Sequence, residues 1–88
     1  MDGGILYFQV DDNSMADYGI LKGDVVVIDR TKSSLGHNDI VLVYTEHKTL
    51  LAHFMLSTNN KYILINPEYG KYEDGFILGV LKSVVVLH

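Results

Sequence analysis

The pair Ser14-Met15 is the part of this chain whose residue types best suit acyl-transfer chemistry. It follows an apolar run that ends at Val10, and it opens a segment, 14–21, whose pattern predicts a helix of about two turns. Because the first N–H groups of a helix have no partners within it, those of Ser14 and Met15 could bind an oxyanion. The alternative is that Ser14 or Asn13 only caps the helix, which is the commoner use of these residue types.

A serine hydroxyl becomes a good nucleophile only when a base removes its proton, and few other residues suggest one. Asp11 and Asp12 could form a cation site or an acid–base pair, but a solvated loop is the simpler interpretation. The histidines are His37, His47, His53 and His88. Their spacing fits no helical metal site, and the absence of cysteine excludes zinc fingers, disulfides and thiol catalysis. We therefore expect no metal and no cofactor.

The composition indicates one globular domain that spans residues 1–88. With 48% hydrophobic and 20% charged residues, the chain is too apolar to be disordered. A net charge of −4 with only 7 basic residues argues against direct binding of nucleic acid, which depends on lysine and arginine. No apolar run approaches the ~20 residues of a membrane span, and the N-terminus does not look like a signal peptide. We expect a cytoplasmic protein with no membrane segment.

Short runs rich in valine, isoleucine, tyrosine and phenylalanine predict β-strands separated by polar turns. The predicted strands are 5–10, 24–29, 39–45, 49–56, 61–66 and 76–87, the last of them bent or divided in two. Turns are predicted at 46–48, 57–60 and 66–70, where Pro67 presets φ. This spacing predicts a mainly β fold, a small barrel or sandwich of short strands, with one short helix after the first strand.

The apolar C-terminal segment, 79–88, has two interpretations. It could be a buried central strand, or it could be an exposed strand at the edge of the sheet. An exposed apolar edge invites pairing with a second copy, so the latter interpretation predicts a homodimer. A partner that covers apolar surface would also stabilise a chain as short as 88 residues.

A set of motifs from about Val10 to Val84 resembles the C-terminal peptidase domain of the LexA/UmuD family, which includes repressors of the lambda phage type. The motifs, in chain order, are Ser14-Met15, Tyr18-Gly19-Ile20, Lys22-Gly23-Asp24-Val25-Val26-Val27, Asp39-Ile40-Val41, Asn66-Pro67-Glu68-Tyr69 and Gly79-Val80-Leu81. Each motif is weak alone, whereas their combination at these distances is specific. The resemblance implies a small β fold and a serine peptidase that cleaves its own polypeptide, with Ser14 as nucleophile.

The resemblance also implies a lysine that acts as general base, a fixed distance before the Asn-Pro-x-Tyr turn. Counting back from Asn66 places that lysine at Ala52, so the base is absent and we predict an inactive site. Two explanations stay open: a natural inactive relative, or a Lys→Ala change made to block self-cleavage, which we favour because the other motifs are well formed. Neither neighbour replaces the base, since Lys48 is expected in a solvated hairpin and His53 should point to the opposite face of the strand.

The resemblance therefore implies the self-cleaving peptidase domain of an SOS-response or phage-type repressor or of a UmuD-like protein. It implies a homodimer and, in the parent protein, cleavage triggered by a RecA–single-stranded-DNA filament. We expect no DNA-binding domain in the chain, and Gly3-Gly4 lies too close to Ser14 to be the scissile site. The alternative is a non-enzymatic module of the same fold that dimerises a repressor or binds a translesion polymerase. A signal-peptidase-like enzyme shares the Ser-Met pair but needs a membrane anchor.

Overall fold

The computed structural model describes residues 4–31, 35–36, 38–46, 48–57, 59, 61–73 and 75–86. These residues form one open antiparallel sheet of seven strands. The strands are β1 (Ile5–Gln9), β2 (Val25–Asp29), β3 (Ile40–Thr45), β4 (Lys48–Leu56), β5 (Tyr62–Asn66), β6 (Gly70–Tyr72) and β7 (Phe76–Val85). Their order across the sheet is β1-β2-β7-β3-β4-β5-β6. The mainly β prediction is confirmed, but β1 and β6 remain separate edges, so the sheet is neither a closed barrel nor a sandwich.

Six of the seven strands coincide with the predicted apolar runs, with ends that differ by one or two residues. The apolar pattern does not predict β6, because this strand has three residues and no apolar run. It pairs with β5 through a short turn, with Asn66 opposite Gly70. The predicted turn at 66–70 is therefore the tip of a hairpin that ends at a sheet edge.

β7 lies in the middle of the sheet, between β2 and β3. The interpretation of the C-terminal segment as an edge strand is therefore wrong, because it belongs to an internal strand whose residues 76–80 pair with β3 and whose residues 80–85 pair with β2. The strand is continuous but bent by two bulges, with Leu78 as the extra residue opposite β3 and Lys82 as the extra residue opposite β2. Gly79 lies between the two bulges, where the backbone of β2 approaches closely.

Apolar side chains are buried on both faces of the sheet. The first cluster consists of Val10, Met15, Ile20, Val26, Ile28, Leu42 and Leu51. The second cluster consists of Val41, Val43, Leu50, Ala52, Phe54, Leu64 and Val80. Leu42 is paired with Leu51 and Val41 with Ala52, so the alternation along β3 and β4 sends neighbouring residues to different clusters. Full burial of each large apolar side chain contributes roughly 1.5–3 kcal/mol.

The segment between β1 and β2 contains one turn of 3₁₀ helix, Ala16–Tyr18, which is shorter than predicted. No side chain caps its N-terminus, and the Asn13 side chain instead accepts a hydrogen bond from the Lys22 N–H at 2.9 Å. Capping by Ser14 or Asn13 was thus the wrong interpretation. Gly19 ends the turn in the left-handed conformation, with φ of 81°, which glycine adopts readily. No helix among the described residues is long and apolar enough to cross a membrane.

Candidate active site

Ser14 lies in the loop that follows β1, at the point where this loop contacts the end of β5. It follows β1, and its Oγ accepts a hydrogen bond at 3.0 Å from Nδ2 of Asn66, the last residue of β5. Both residues are buried, Ser14 being 7% and Asn66 1% exposed. The loop that carries the serine is closed by two backbone hydrogen bonds of 2.8 Å, from the Val10 N–H to the Asp24 carbonyl and from the Gly23 N–H to the Val10 carbonyl. The serine is therefore held in a defined place.

Asn66 connects Ser14 to two neighbouring parts of the backbone. Its Nδ2 also donates to the Leu51 carbonyl oxygen at 2.8 Å, and its Oδ1 accepts from the N–H groups of Glu68 and Tyr69 at 2.8 and 2.9 Å. Because two N–H donors surround Oδ1, the orientation of the amide is determined, and the NH₂ group faces the serine. This group donates hydrogen bonds and cannot remove a proton, so Asn66 is no base for Ser14.

Ala52, the position at which the resemblance places the base, is completely buried in the second cluster. The pairing of β4 with β5 extends to His53 opposite Ile65, and one further step of this register places Ala52 opposite Asn66. Opposite residues of an antiparallel pair share a face, with Cβ atoms about 4.5–5.5 Å apart. Position 52 thus neighbours the residue that binds the Ser14 hydroxyl, and it presents a methyl group there.

Asp12 contacts Ser14 directly, which the interpretation as a solvated loop missed. Its Oδ1 accepts a hydrogen bond from the Ser14 N–H at 3.0 Å, and its Oδ2 accepts one from the Tyr69 hydroxyl at 2.8 Å. The Lys48 Nζ lies 4.0 Å from the same Oδ2 and 4.8 Å from the centre of the Tyr69 ring. An aspartate two residues before an N–H is a known turn signal, so the contact to Ser14 was detectable in the sequence. The contact to Tyr69 has no local signal.

These contacts determine the ionisation of Asp12 and Tyr69. Burial opposes ionisation of Asp12, but hydrogen bonds from Ser14 and Tyr69, with the charge of Lys48, outweigh it and lower the pKa of this carboxyl. The hydrogen bond to the Asp12 carboxylate, followed by desolvation and the nearby acidic groups, raises the pKa of Tyr69 to about 12. Asp12 is therefore ionised at neutral pH, and its lowered pKa makes it a weak base beside the serine.

The two predicted oxyanion donors, the N–H groups of Ser14 and Met15, differ in whether they already donate a hydrogen bond. The Ser14 N–H is already engaged by Asp12, so an oxyanion would have to displace this carboxylate. The Met15 N–H has no acceptor among the described residues. The Met15 side chain is 1% exposed and packs in the first cluster, which anchors the backbone on the C-terminal side of the serine.

The two basic residues near position 52, His53 and Lys48, contact side chains other than Ser14. His53 Nδ1 lies 3.1 Å from the Tyr18 hydroxyl, and its Nε2 lies 3.0 Å from Asn38 Oδ1. Since Asn38 Oδ1 can only accept, we assign the proton to Nε2 and the acceptor role to Nδ1. Lys48 has a side chain that is 42% exposed and lies beside Asp12. Both arrangements agree with the prediction that neither residue serves as a base for Ser14.

No group of three or more histidine, aspartate or glutamate side chains in the described part of the chain could hold a metal ion. His37, His47 and His88 lie outside the described residues.

Comparison with curated proteins finds no similar sequence. The family model described as Peptidase S24-like matches residues 2–83, nearly the entire chain. The matched range includes Ser14, position 52 and Asn66. The chain therefore belongs to the Peptidase S24-like family, in agreement with its LexA/UmuD-like motifs.

Proposed function

We propose that the chain is the peptidase domain of a self-cleaving repressor or UmuD-like protein in a catalytically silent form. In this proposal, Ser14 occupies the position of the nucleophile and Ala52 occupies the position of the general base. One observation carries the proposal: the Ser14 hydroxyl is buried against Nδ2 of Asn66, a donor that cannot accept its proton. The serine is positioned, but its partner cannot activate it.

Self-cleavage would require Oγ of Ser14 to attack a peptide carbonyl carbon while its proton passes to a neutral amine. The apolar surroundings of position 52 would lower the pKa of a lysine there and so supply that amine. The methyl group of Ala52 cannot accept a proton. Because general-base help typically supplies about 10²–10⁴-fold, the unsubstituted chain should react slower by this order.

An activity-based probe tests the proposal without knowledge of the scissile bond. A fluorophosphonate forms a phosphorus–oxygen bond with an activated serine and releases fluoride, and intact-protein mass spectrometry detects the adduct. We expect Ala52→Lys to label about 10²–10⁴-fold faster than the unsubstituted chain, with the adduct on Ser14. The reaction is run at pH 10, where a buried lysine is neutral, and Ala52→His supplies a smaller base should the lysine prevent folding.

Ala52→Met and Ala52→Lys/Ser14→Ala are the matched controls, and both should stay unlabelled. Rapid labelling of the unsubstituted chain at Ser14 would show that the site is not silent. An absence of labelling in every folded base-containing variant would show that Ser14 is not the nucleophile.

The wider role in this proposal follows the family resemblance: a cytoplasmic homodimer whose parent protein responds to a RecA filament. A patch on the outer face of the sheet supports self-association, because Tyr7 of β1 is 68% exposed and Val85 of β7 is 44% exposed. Half-buried Val25 and Val27 of β2 lie between them. Size-exclusion light scattering should give a dimer mass, and Tyr7→Ser should reduce it toward the monomer. A monomer at high concentration would contradict this role.

The second candidate function is a non-enzymatic interaction module of the same fold. It is favoured by one observation, the hydrogen bond from the Ser14 N–H to Asp12, which leaves the serine without one of its oxyanion donors. Ser14-specific labelling after a base is supplied would favour the peptidase origin, and its absence would favour the module.

A further inference from the structure

Two residues before the serine, the Asp12 carboxylate occupies the place where a reacting carbonyl oxygen would be stabilised. Its Oδ1 lies 3.0 Å from the Ser14 nitrogen, within the range of a charge-assisted hydrogen bond. In acyl transfer, backbone N–H groups near the nucleophile stabilise the negative charge that develops on the substrate oxygen. An N–H that already binds a carboxylate cannot do this until the carboxylate leaves.

The carboxylate is fixed at its other oxygen by a distant part of the fold. The Tyr69 hydroxyl donates to Oδ2 at 2.8 Å from a position 57 residues away, and Lys48 adds a positive charge at 4.0 Å. Rotation of Asp12 away from the Ser14 N–H would therefore break the hydrogen bond to Tyr69 as well. The carboxylate is held at the serine by Tyr69 from the turn after β5 and by Lys48 at the start of β4.

The charge of Asp12 acts against the reaction in a second way. A substrate oxyanion next to a carboxylate would be repelled, because the two negative charges would share a partly buried site. A carboxylate in the same site would also favour the charged form of a lysine at position 52, and a charged lysine cannot accept the serine proton. The repulsion of the oxyanion and the charging of the lysine would both persist after a base is placed at position 52.

We infer that Asp12 is an autoinhibitory residue that blocks the oxyanion position of Ser14, so that the site is silenced twice, by Ala52 and by Asp12. The inference rests on the proposed function, because it assigns Ser14 as the nucleophile. It adds that a base at position 52 restores only part of the reactivity. Full reactivity also requires removal of the carboxylate that binds the Ser14 N–H.

The test compares fluorophosphonate labelling of Ala52→Lys with that of Ala52→Lys/Asp12→Ala. We expect the double variant to label Ser14 about 10²–10³-fold faster than Ala52→Lys, because one oxyanion donor usually contributes a rate factor of this size. Ala52→Lys/Asp12→Asn is the matched control, because its side-chain oxygen can still accept the Ser14 N–H while the charge is gone. It should label more slowly than the alanine double variant. A purely structural role for Asp12 would lower stability in these variants and would not raise the labelling rate.

A second measurement uses the chain with its own Ala52. In a ¹H–¹⁵N NMR titration, the Ser14 amide signal should follow the acid titration of Asp12, and Asp12→Ala should remove this dependence.

Equal labelling of Ala52→Lys with and without Asp12→Ala would overturn the inference. If Ala52→Lys and Ala52→Lys/Asp12→Ala label equally fast, the proposed function stands without the inference. If neither variant labels, the proposed function fails together with the inference.

Discussion

Nδ2 of Asn66 lies 3.0 Å from Oγ of Ser14, although 52 residues separate the two in the chain. The hydrogen bond links the loop after β1, one edge of the sheet, to the last residue of β5, beside the other edge. The sheet must curve strongly for the two ends of its order to meet at one buried hydroxyl.

Replacement of Asn66 should destabilise the fold. Asn66→Ala would remove hydrogen bonds to Ser14, the Leu51 carbonyl and the N–H groups of Glu68 and Tyr69, which leaves buried polar groups unpaired. We expect a loss of about 2–4 kcal/mol in the free energy of unfolding, measured by urea denaturation. Asn59→Ala, at an exposed turn, is the control and should change this energy by less than about 0.5 kcal/mol. Equal stability of the two variants would contradict the importance of Asn66.

Gly79 should tolerate no side chain. A Cβ atom there would meet Cγ2 of Ile28 and would lie 2.8 Å from the Asp29 carbonyl oxygen, so the pairing of β7 with β2 would have to open. We expect Gly79→Ala to cost about 1–3 kcal/mol in thermal or urea unfolding. At Gly36, a Cβ atom would lie 3.7 Å from Asp39 Oδ2, an ordinary contact, so Gly36→Ala is the matched control. A Gly79→Ala variant as stable as its control would show that the bulged region can relax.

One tyrosine should titrate at unusually high pH. The hydrogen bond to the Asp12 carboxylate raises the pKa of Tyr69 to about 12, so its folded pKa exceeds the ordinary value of 10.0. The stability that this bond contributes is complete below pH 10 and is lost as pH rises toward about 12. Absorbance at the tyrosinate band should show one late-titrating group, which Tyr69→Phe removes and Asp12→Asn lowers. A late group that persists in Tyr69→Phe would mean that another tyrosine is responsible.

Asp12 should make stability depend on pH in the acid range. Its folded pKa is lower than the ordinary 3.8, so its contribution is present above that value and is lost as pH falls through the folded pKa. We expect Asp12→Ala to cost about 1–2 kcal/mol at pH 7 and much less once the natural carboxyl is protonated. Urea denaturation at neutral and strongly acid pH measures the difference. Asp11→Ala is the control, and a cost of Asp12→Ala that is equal at both pH values would contradict the pKa assignment.

A lysine at position 52 should likewise make stability rise with pH, over the range between its lowered folded pKa and its ordinary value. Ala52 is fully buried, so the pKa of an Ala52→Lys side chain should fall below its ordinary value. Because the unfolded chain then binds the extra proton, the stability of this variant should rise with pH between the folded and unfolded pKa values. Ala52→Met has similar length without a charge and should show no such rise. A parallel pH dependence of the two variants would show that position 52 is accessible to water.

The strands and the Ser-Met loop could be predicted from the sequence because both depend on local pattern, whereas the assignment of Ala52 to the position of a base rests on the family resemblance alone. Alternating apolar residues determine which face of a strand each side chain takes, so the opposite orientations of Ala52 and His53 followed directly.

Only the tertiary structure decided what surrounds the serine hydroxyl. The partners of Ser14 and Asp12 are Asn66 and Tyr69, 52 and 57 residues away, and no local pattern specifies such pairs. They meet because the loop after β1 packs against the end of β5 and the turn that follows it. Strand order, register and curvature depend on the packing of the whole sheet, so side chains that lie on different strands become neighbours only when all of it is formed.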